Sequence, residues 1–434
     1  MPEVSFVTHW AGITSLIIFL VAYVAVVFED TIHMRKSKPV LIAAGLIWAL
    51  IGIAFAASGQ SDLAHERAIE IIGEYGELFL FLLVAITYVN ALEERRMFEV
   101  LRARMVAAGL NYRQLFLLTG ALAFCLAGLL DNLTTALVMG AVVIAIGKTS
   151  PKFVTIGCVS VVVAANAGGA FSPFGNITTL LVWQAGKVHL TEFFALFVPA
   201  LVNWVIPAGI MYFAVPKDKP AMQKEKVTGK PGMIGVAVLF GLTIATAVSF
   251  KNFLHLPPAM GMMLGLGYLQ MWSYYLTRTG TRKDDTEMVL DSFNEIQRVE
   301  WDTLLFFFGI IFAVGGLGML GYLGVMSDAL YVGLGPTTAN VIIGALSAIV
   351  DNIPLMYAVL TMDPVMSHGQ WLLITLTCGV GGSILSIGSA AGVALMGQAR
   401  GTYTFMSHLK WSWAVTLGYI ASIYTHLWIN AALF

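Results

Sequence analysis

The chain has 434 residues, 58% of them hydrophobic and only 11% charged, with a formal net charge of −1. A soluble protein of this size carries about 25% charged residues, so a water-exposed globule is excluded. The balance of charge points to no particular partner, and no nucleic acid is expected.

Apolar runs of roughly 17–25 residues, the length that crosses a bilayer core, recur from end to end. They are continuous and rich in Leu, Ala and Gly, unlike the alternating strands of about 10 residues that build a membrane barrel. An all-α polytopic membrane protein is therefore expected. The first run, 11–28, has neither a basic stretch before it nor a cleavage site after it, so it is expected to be retained. Spans follow at 39–57, 77–92, 153–186 (interrupted), 193–215, 232–250, 257–276, 301–320, 370–396 (interrupted) and 411–433. Two further apolar pairs, 114–130 with 133–147 and 337–350 with 353–362, flank the Asp-Asn dipeptides 131–132 and 351–352.

Basic residues set the orientation. Segments 29–38, 93–113, 216–231 and 277–300 are rich in Lys and Arg: Arg35, Lys36 and Lys38 in the first, five arginines in the second, five lysines in the third, and Arg278, Arg282, Lys283 and Arg298 in the last. Segments 58–76, 186–192 and 321–336 are poor in them. One topology puts every basic-rich segment inside: N-terminus out, five spans, a cytoplasmic linker at 216–231, five spans, C-terminus out. Each Asp-Asn pair must then leave the membrane on the side it came from, by a re-entrant hairpin or by two full crossings. Met97, Leu101 and Met105 among arginines suggest an interfacial amphipathic helix in 93–113. Met288, Phe293, Ile296 and Val299 suggest a second in 284–299.

Three blocks recur in order. "ELFLFLLVAITYVNAL" (77–92) aligns with "DTLLFFFGIIFAVGGL" (302–317), "DNLTTAL" with "DNIPLMY", and "AGGAFSPFGNITT" (167–179) with "VGGSILSIGSAAG" (380–392). The expected organisation is a first repeat at 1–215, the linker, and a second repeat at 232–434. With an odd number of spans per half, the second copy is inverted, a signature of secondary transporters with a shared site near the midplane.

A carboxylate inside a membrane is costly and functional by default. Asp131 and Asp351 are therefore the expected centre of the site, and each can also cap a helix. An acid held away from water resists ionisation, so such a group is suited to trading a proton for a small cation. Gly168, Gly169, Pro173 and Gly175 should unwind the 153–186 span, and freed backbone is tolerated in a bilayer only where it lines a buried or wet cavity. Asn166, Ser172, Asn176 and Thr178 add oxygen ligands of the kind Na⁺ prefers, and Ser383, Ser386 and Ser389 do so in the second interrupted span. Glu77 and Asp302 start matched spans and are read as interfacial. The histidines show no metal-ligand spacing, and His426 is expected to be a packing residue. Gly261 and Gly265 form a GxxxG suited to close helix contact. No nucleophile–base pair or P-loop is present, so an enzyme is not expected, nor is a cofactor.

In the stretches "DNLTTALVMGAVV", "NAGGAFSPFGNITT", "VDNIPLMYAVL" and "GVGGSILSIGSAAGVALMGQARGTYTF" the sequence resembles the NhaD type of sodium/proton antiporter, within the wider ion transporter superfamily. The resemblance implies re-entrant hairpins at 114–147 and 337–362, unwound helices at 153–186 and 370–396, and a homodimer. It points to Asp131, Asn132, Thr134, Asn166, Thr178, Asp351, Asn352, Ser386 and Ser389, with Na⁺ at Asp131, Asn132, Asn166, Thr178, Asp351 and Asn352. One position departs: Asn176 stands where the resemblance leads one to expect Asp in an "SPxGD" stretch, which bears on coupling. The expected activity is exchange of Na⁺ or Li⁺ for H⁺ across a bacterial inner membrane, by competition at the carboxylates. The alternatives are a dicarboxylate or arsenite carrier of the same superfamily and a cation channel.

Overall fold

A computed structural model describes residues 5–107, 109–220, 227–279 and 290–434. Lys224, Lys226, Arg282, Lys283 and Met288, which entered the charge and amphipathicity readings, lie outside the described residues. Every regular element among the described residues is helical. They are α1 (Trp10–Val27), α2 (Glu29–Ile32), α3 (Ser37–Ala57), α4 (Ser61–Glu94), α5 (Met97–Ala107), α6 (Tyr112–Ala127), α7 (Asn132–Ile146), α8 (Pro151–Gly169), α9 (Ile177–Gln184) and α10 (Phe197–Tyr212). Beyond the linker come α11 (Met233–Leu254), α12 (Pro258–Thr279), α13 (Ser292–Gln297), α14 (Trp301–Met319), α15 (Tyr322–Ser327), α16 (Pro336–Leu346), α17 (Asn352–Met362), α18 (His368–Gly381), α19 (Ala390–Gln398) and α20 (Phe405–Ile429).

Six described helices are long and apolar enough to cross a bilayer: α1, α3, α8, α10 with the 3₁₀ turn that precedes it, α11 and α14. Helices α6, α7 and α17 are apolar but have only 16, 15 and 11 residues. At 1.5 Å per residue none of the three reaches the roughly 30 Å of a hydrocarbon core. Both interrupted spans are interrupted where the glycines predict, between α8 and α9 and between α18 and α19. The span expected at 77–92 belongs to a 34-residue helix. Its polar first half, 61–76, continues the same helix: Gly73 and Gly76 do not break it, and Arg67 pairs with Glu70 and Glu74 along one face. The amphipathic stretch at 93–113 folds as α5, with Met105 buried and Arg104 exposed.

The chain divides into two compact units. The first comprises Met1–Leu83, Val299–Ala339 and Ile353–Val365. Here α14 lies along α3, with Gly309 against Val40 and Trp48 Nε1 donating to Phe312 O at 2.9 Å. Ser37 donates to Asp302, so this acid has a protein partner. Tyr357 on α17 donates to Glu74 Oε2 at 2.8 Å.

The second unit comprises Val84–Arg298, Asn340–Asn352 and Met366–Phe434. Helix α8 is its axis: from Phe153 to Gly169 only Thr155 is not fully buried, and α6, α7, α10, α18, α19 and α20 all touch it. A helix apolar on every side needs such a surround. Helices α11 and α12 pack through the GxxxG, Gly261 against the Ala247 backbone and Gly265 against Thr243. Tyr88 of α4 closes this contact by donating to Gly265 O at 2.7 Å.

Candidate functional site

The site is built on helix ends inside the second unit. Asp131 is the N-cap of α7: Oδ1 accepts from Thr134 N at 2.9 Å and Oδ2 from Thr134 Oγ1 at 2.6 Å. The half-buried carboxylate is thus held by two donors in the first turn of its own helix. Four backbone N–H groups are left free at any helix start, and an anionic cap is favoured there. Asp351 holds the equivalent place before α17 and is likewise half-buried.

Asn132, Asn166 and Ser389 form a continuous buried chain. Asn132 Nδ2 donates to Asn166 Oδ1 at 2.9 Å, and Asn166 Nδ2 donates to Ser389 Oγ at 3.1 Å and to Val162 O at 3.0 Å. This ties α7 to α8, and α8 to the start of α19. Residues separated by 223 positions thereby meet at one point.

The two breaks are built alike. Asn176 caps α9 and Ser389 caps α19, both in extended backbone and each bonding the N–H of a residue in the first turn. A Cβ on Gly168 would collide with the Phe124 carbonyl, and one on Gly381 with the Gly344 carbonyl. Phe124 stands seven residues before Asp131, and Gly344 seven before Asp351. Gly175 touches Ala127 O as Gly388 touches Ser347 O, each partner four residues before its aspartate. The glycines are needed because backbone meets backbone at these contacts.

Five polar atoms in this region are buried without a hydrogen-bond partner among the described residues: Thr135 Oγ1, Asn176 Nδ2, Thr178 Oγ1, Asn352 Nδ2 and Ser386 Oγ. Such atoms are uncommon in a folded protein and ask for an explanation. Asn176 Nδ2 and Thr178 Oγ1 face the same spot on α18, where a Cβ on Gly379 would lie 3.8 Å and 4.0 Å from them. Other candidates are occupied locally. Ser383 Oγ turns back to Val380 O at 2.6 Å, and Ser172 Oγ accepts from Phe174 N at 3.3 Å. The side-chain bonds of Asp131 stay within its own turn and do not reach the Asn166 chain.

Sequence reasoning passed over three contributors. Thr179 Oγ1 lies 2.9 Å from Ser172 O and 2.6 Å from Asn176 O, clamping the first break; its place beside Thr178 was a signal. Ser347 donates to Gly344 O at 2.8 Å and lies 3.1 Å from Cys378 O. Cys378 Sγ in turn bonds Asn352 O at 3.2 Å. Nothing in the local sequence marks Ser347 or Cys378 except their distance from the Asp-Asn pair. His426 is a satisfied packing residue, with Nε2 on Gly369 O at 3.0 Å and Nδ1 on Asn430 at 2.9 Å.

Residues 6–379 match the family model described as citrate transporter. Among curated proteins, the Na⁺/H⁺ antiporter NhaD of Alkalimonas amylolytica is 55% identical over 442 residues, spanning 98% of this chain and 92% of its own length. The antiporter of the same name from Vibrio cholerae is 51% identical over 96% of this chain and 92% of its own. Sodium/proton antiporter 1 of Arabidopsis thaliana is 31% identical over 98% of this chain and 74% of its own length.

Proposed function

The chain belongs to the NhaD family of sodium/proton antiporters, and on that premise we propose that it exchanges Na⁺ or Li⁺ for H⁺ across the bacterial inner membrane at carboxylates embedded in its second unit. The observation that carries this reading is the pair of buried hydroxyls Thr178 Oγ1 and Ser386 Oγ, one beside each helix break and neither with a protein partner. Hydroxyl, amide and carboxylate oxygens suit a small hard cation, and broken helices are where secondary transporters present them.

In this reading Asp131 is the principal acid and Asp351 the second. Asn132, Asn166, Ser172, Asn176, Thr178, Asn352, Ser383, Ser386 and Ser389 line or support the cation. A carboxylate that carries a proton no longer offers its charge to Na⁺, so the two ions displace each other. Exchange follows if the site crosses the membrane with either ion and resists crossing with neither, since a ligand shifts a conformational equilibrium only by its differential affinity. The ions are cargo; no resident cofactor and no catalytic step are invoked.

The inverted repeat belongs to the same reading and is supported by the matched caps Asn176 and Ser389 and the matched glycine contacts. So does the division into repeats at 1–215 and 232–434, with re-entrant hairpins at 114–147 and 337–362; the short lengths of α6, α7 and α17 support it. A homodimer is proposed from the family resemblance alone. Carriage of citrate or another carboxylate anion is disfavoured by the two aspartates at the helix tips. Proton flux in proteoliposomes after addition of NaCl, LiCl, KCl or citrate tests the proposal. Na⁺ and Li⁺ should each release protons from an acid-loaded lumen; a response to citrate in place of Na⁺ overturns it.

A further inference from the structure

The two breaks differ in how their connecting chains are held. In the first, Thr179, three residues after the cap Asn176, clamps the carbonyls of Ser172 and Asn176 with its hydroxyl. The position three residues after the cap Ser389 is Gly392, which has no side chain to do this. A Cβ there would also collide with Ser386 O, so no hydroxyl residue fits.

A different carbonyl of the second connection, nearer its start, is held from another helix. His408, fully buried on α20, places Nε2 3.0 Å from Ser383 O. Its Nδ1 lies 2.7 Å from the hydroxyl of Tyr403, which is 1% exposed. A carbonyl only accepts, so Nε2 carries the hydrogen, and the Tyr403 contact fixes the ring orientation. Ser383 opens the unwound connection, and Ser389 at its far end is held by Asn166. The segment carrying Ser386 is therefore pinned at both ends, by an imidazole and by an amide.

We propose that His408 is a positioning residue of the ion site: by holding Ser383 O it fixes the path of residues 382–389, and with it the hydroxyls of Ser386 and Ser389. This rests on the reading of the site given above. The Nε2–H donates whether or not the ring is charged, so the role is that of a donor and not of a proton carrier. The cation dependence of exchange should then depend on His408, while its pH dependence should not.

The test is Na⁺-driven proton movement in everted vesicles across a range of Na⁺ and pH, for His408→Ala, His408→Gln, His408→Asn and Tyr403→Phe, with Asn166→Ala as reference. His408→Ala should raise half-saturating Na⁺ about tenfold, the scale of one lost buried hydrogen bond, with the pH midpoint unmoved. His408→Gln, whose amide nitrogen reaches the place of Nε2, should stay within about threefold, and His408→Asn, whose amide falls short, should resemble Ala. Tyr403→Phe should fall between. If Ala does not accumulate as folded protein, the Gln–Asn comparison decides. Equal Na⁺ dependence for Gln and Asn overturns the proposal, as does a shifted pH midpoint in His408→Gln. If Asn166→Ala leaves half-saturating Na⁺ unchanged, the site reading itself fails. If Asn166→Ala raises it and His408→Ala does not, only the role of His408 fails.

Discussion

Asn166 bridges Asn132 and Ser389, receiving the amide of the first and giving its own to the hydroxyl of the second. It is fully buried on α8 and donates to Val162 O as well. Truncation to Ala would leave Asn132 Nδ2 and Ser389 Oγ each short of a partner. Asn166→Ala is expected to raise the half-saturating Na⁺ concentration by about tenfold or more, the effect of one or two buried hydrogen bonds. Titration of exchange with NaCl at fixed pH checks it.

Asp131 has two separable roles, cap and charge. Asn caps helices about as well as Asp, so Asp131→Asn should fold and keep α7 while losing the carboxylate. Na⁺-driven proton movement in everted vesicles should fall to background, with the yield and thermal midpoint of the purified protein close to parental. Full exchange by this variant would remove Asp131 from the site.

Gly168 and Gly379 make a contrasting pair on facing helices. A methyl at 168 meets the Phe124 backbone and cannot be relieved by a rotamer change. Gly168→Ala is expected to destabilise the protein by about 1–3 kcal/mol or more through overpacking. A methyl at 379 would lie 3.7 Å from Ala170 Cβ and 3.8 Å from Asn176 Nδ2, ordinary contact distances. Gly379→Ala should leave the thermal midpoint unchanged and weaken Na⁺ binding by filling the spot that Asn176 and Thr178 face. Thermal unfolding in detergent alongside Na⁺ titration separates the two outcomes.

Asn176→Asp keeps the cap of α9 and adds a carboxylate near the break. If protons and Na⁺ compete there, the variant should show a steeper dependence of half-saturating Na⁺ on pH, by up to about one proton. A slope equal to the parental one would mean that position 176 does not titrate with transport.

Glu295 lies outside the membrane-spanning segments, on α13, and is 4% exposed. Burial raises its pKa above the ordinary 4.5, with Arg298 working against the shift and Glu94 adding to it. A carboxyl whose folded-state pKa is raised favours folding while protonated. That contribution is complete below the ordinary value and is lost as pH climbs through the raised one. Glu295→Gln should therefore unfold at a higher temperature than the parent at pH 8, and the difference should shrink toward pH 4. A thermal scan across that range checks it.

Much of the fold was legible because membrane helices announce themselves by length and by the absence of charge. Both breaks were legible too, since Pro173 and Gly175 in one and Gly382 and Gly388 in the other fall where an apolar span would otherwise run on, each just past the end of its helix. Asp131 and Asp351 were visible as acids among apolar runs. What could not be read was pairing at long range. Nothing near Asn166 says that it meets Ser389, and His408 carries no local mark of a role. The long first half of α4 was missed for a different reason: a helix rich in charged residues has no hydropathy signal.

That helix has one practical consequence. Its 34 residues extend about 51 Å, well beyond the roughly 30 Å of the oily layer, and its first half runs beside α14, with Tyr75 donating to Leu304 O and Ile71 against Gly315. A cysteine placed at Glu66, exposed near its start, would be labelled by an impermeant reagent in whole cells or only in inverted vesicles. One such experiment would orient the whole first half without touching the parts that do the work.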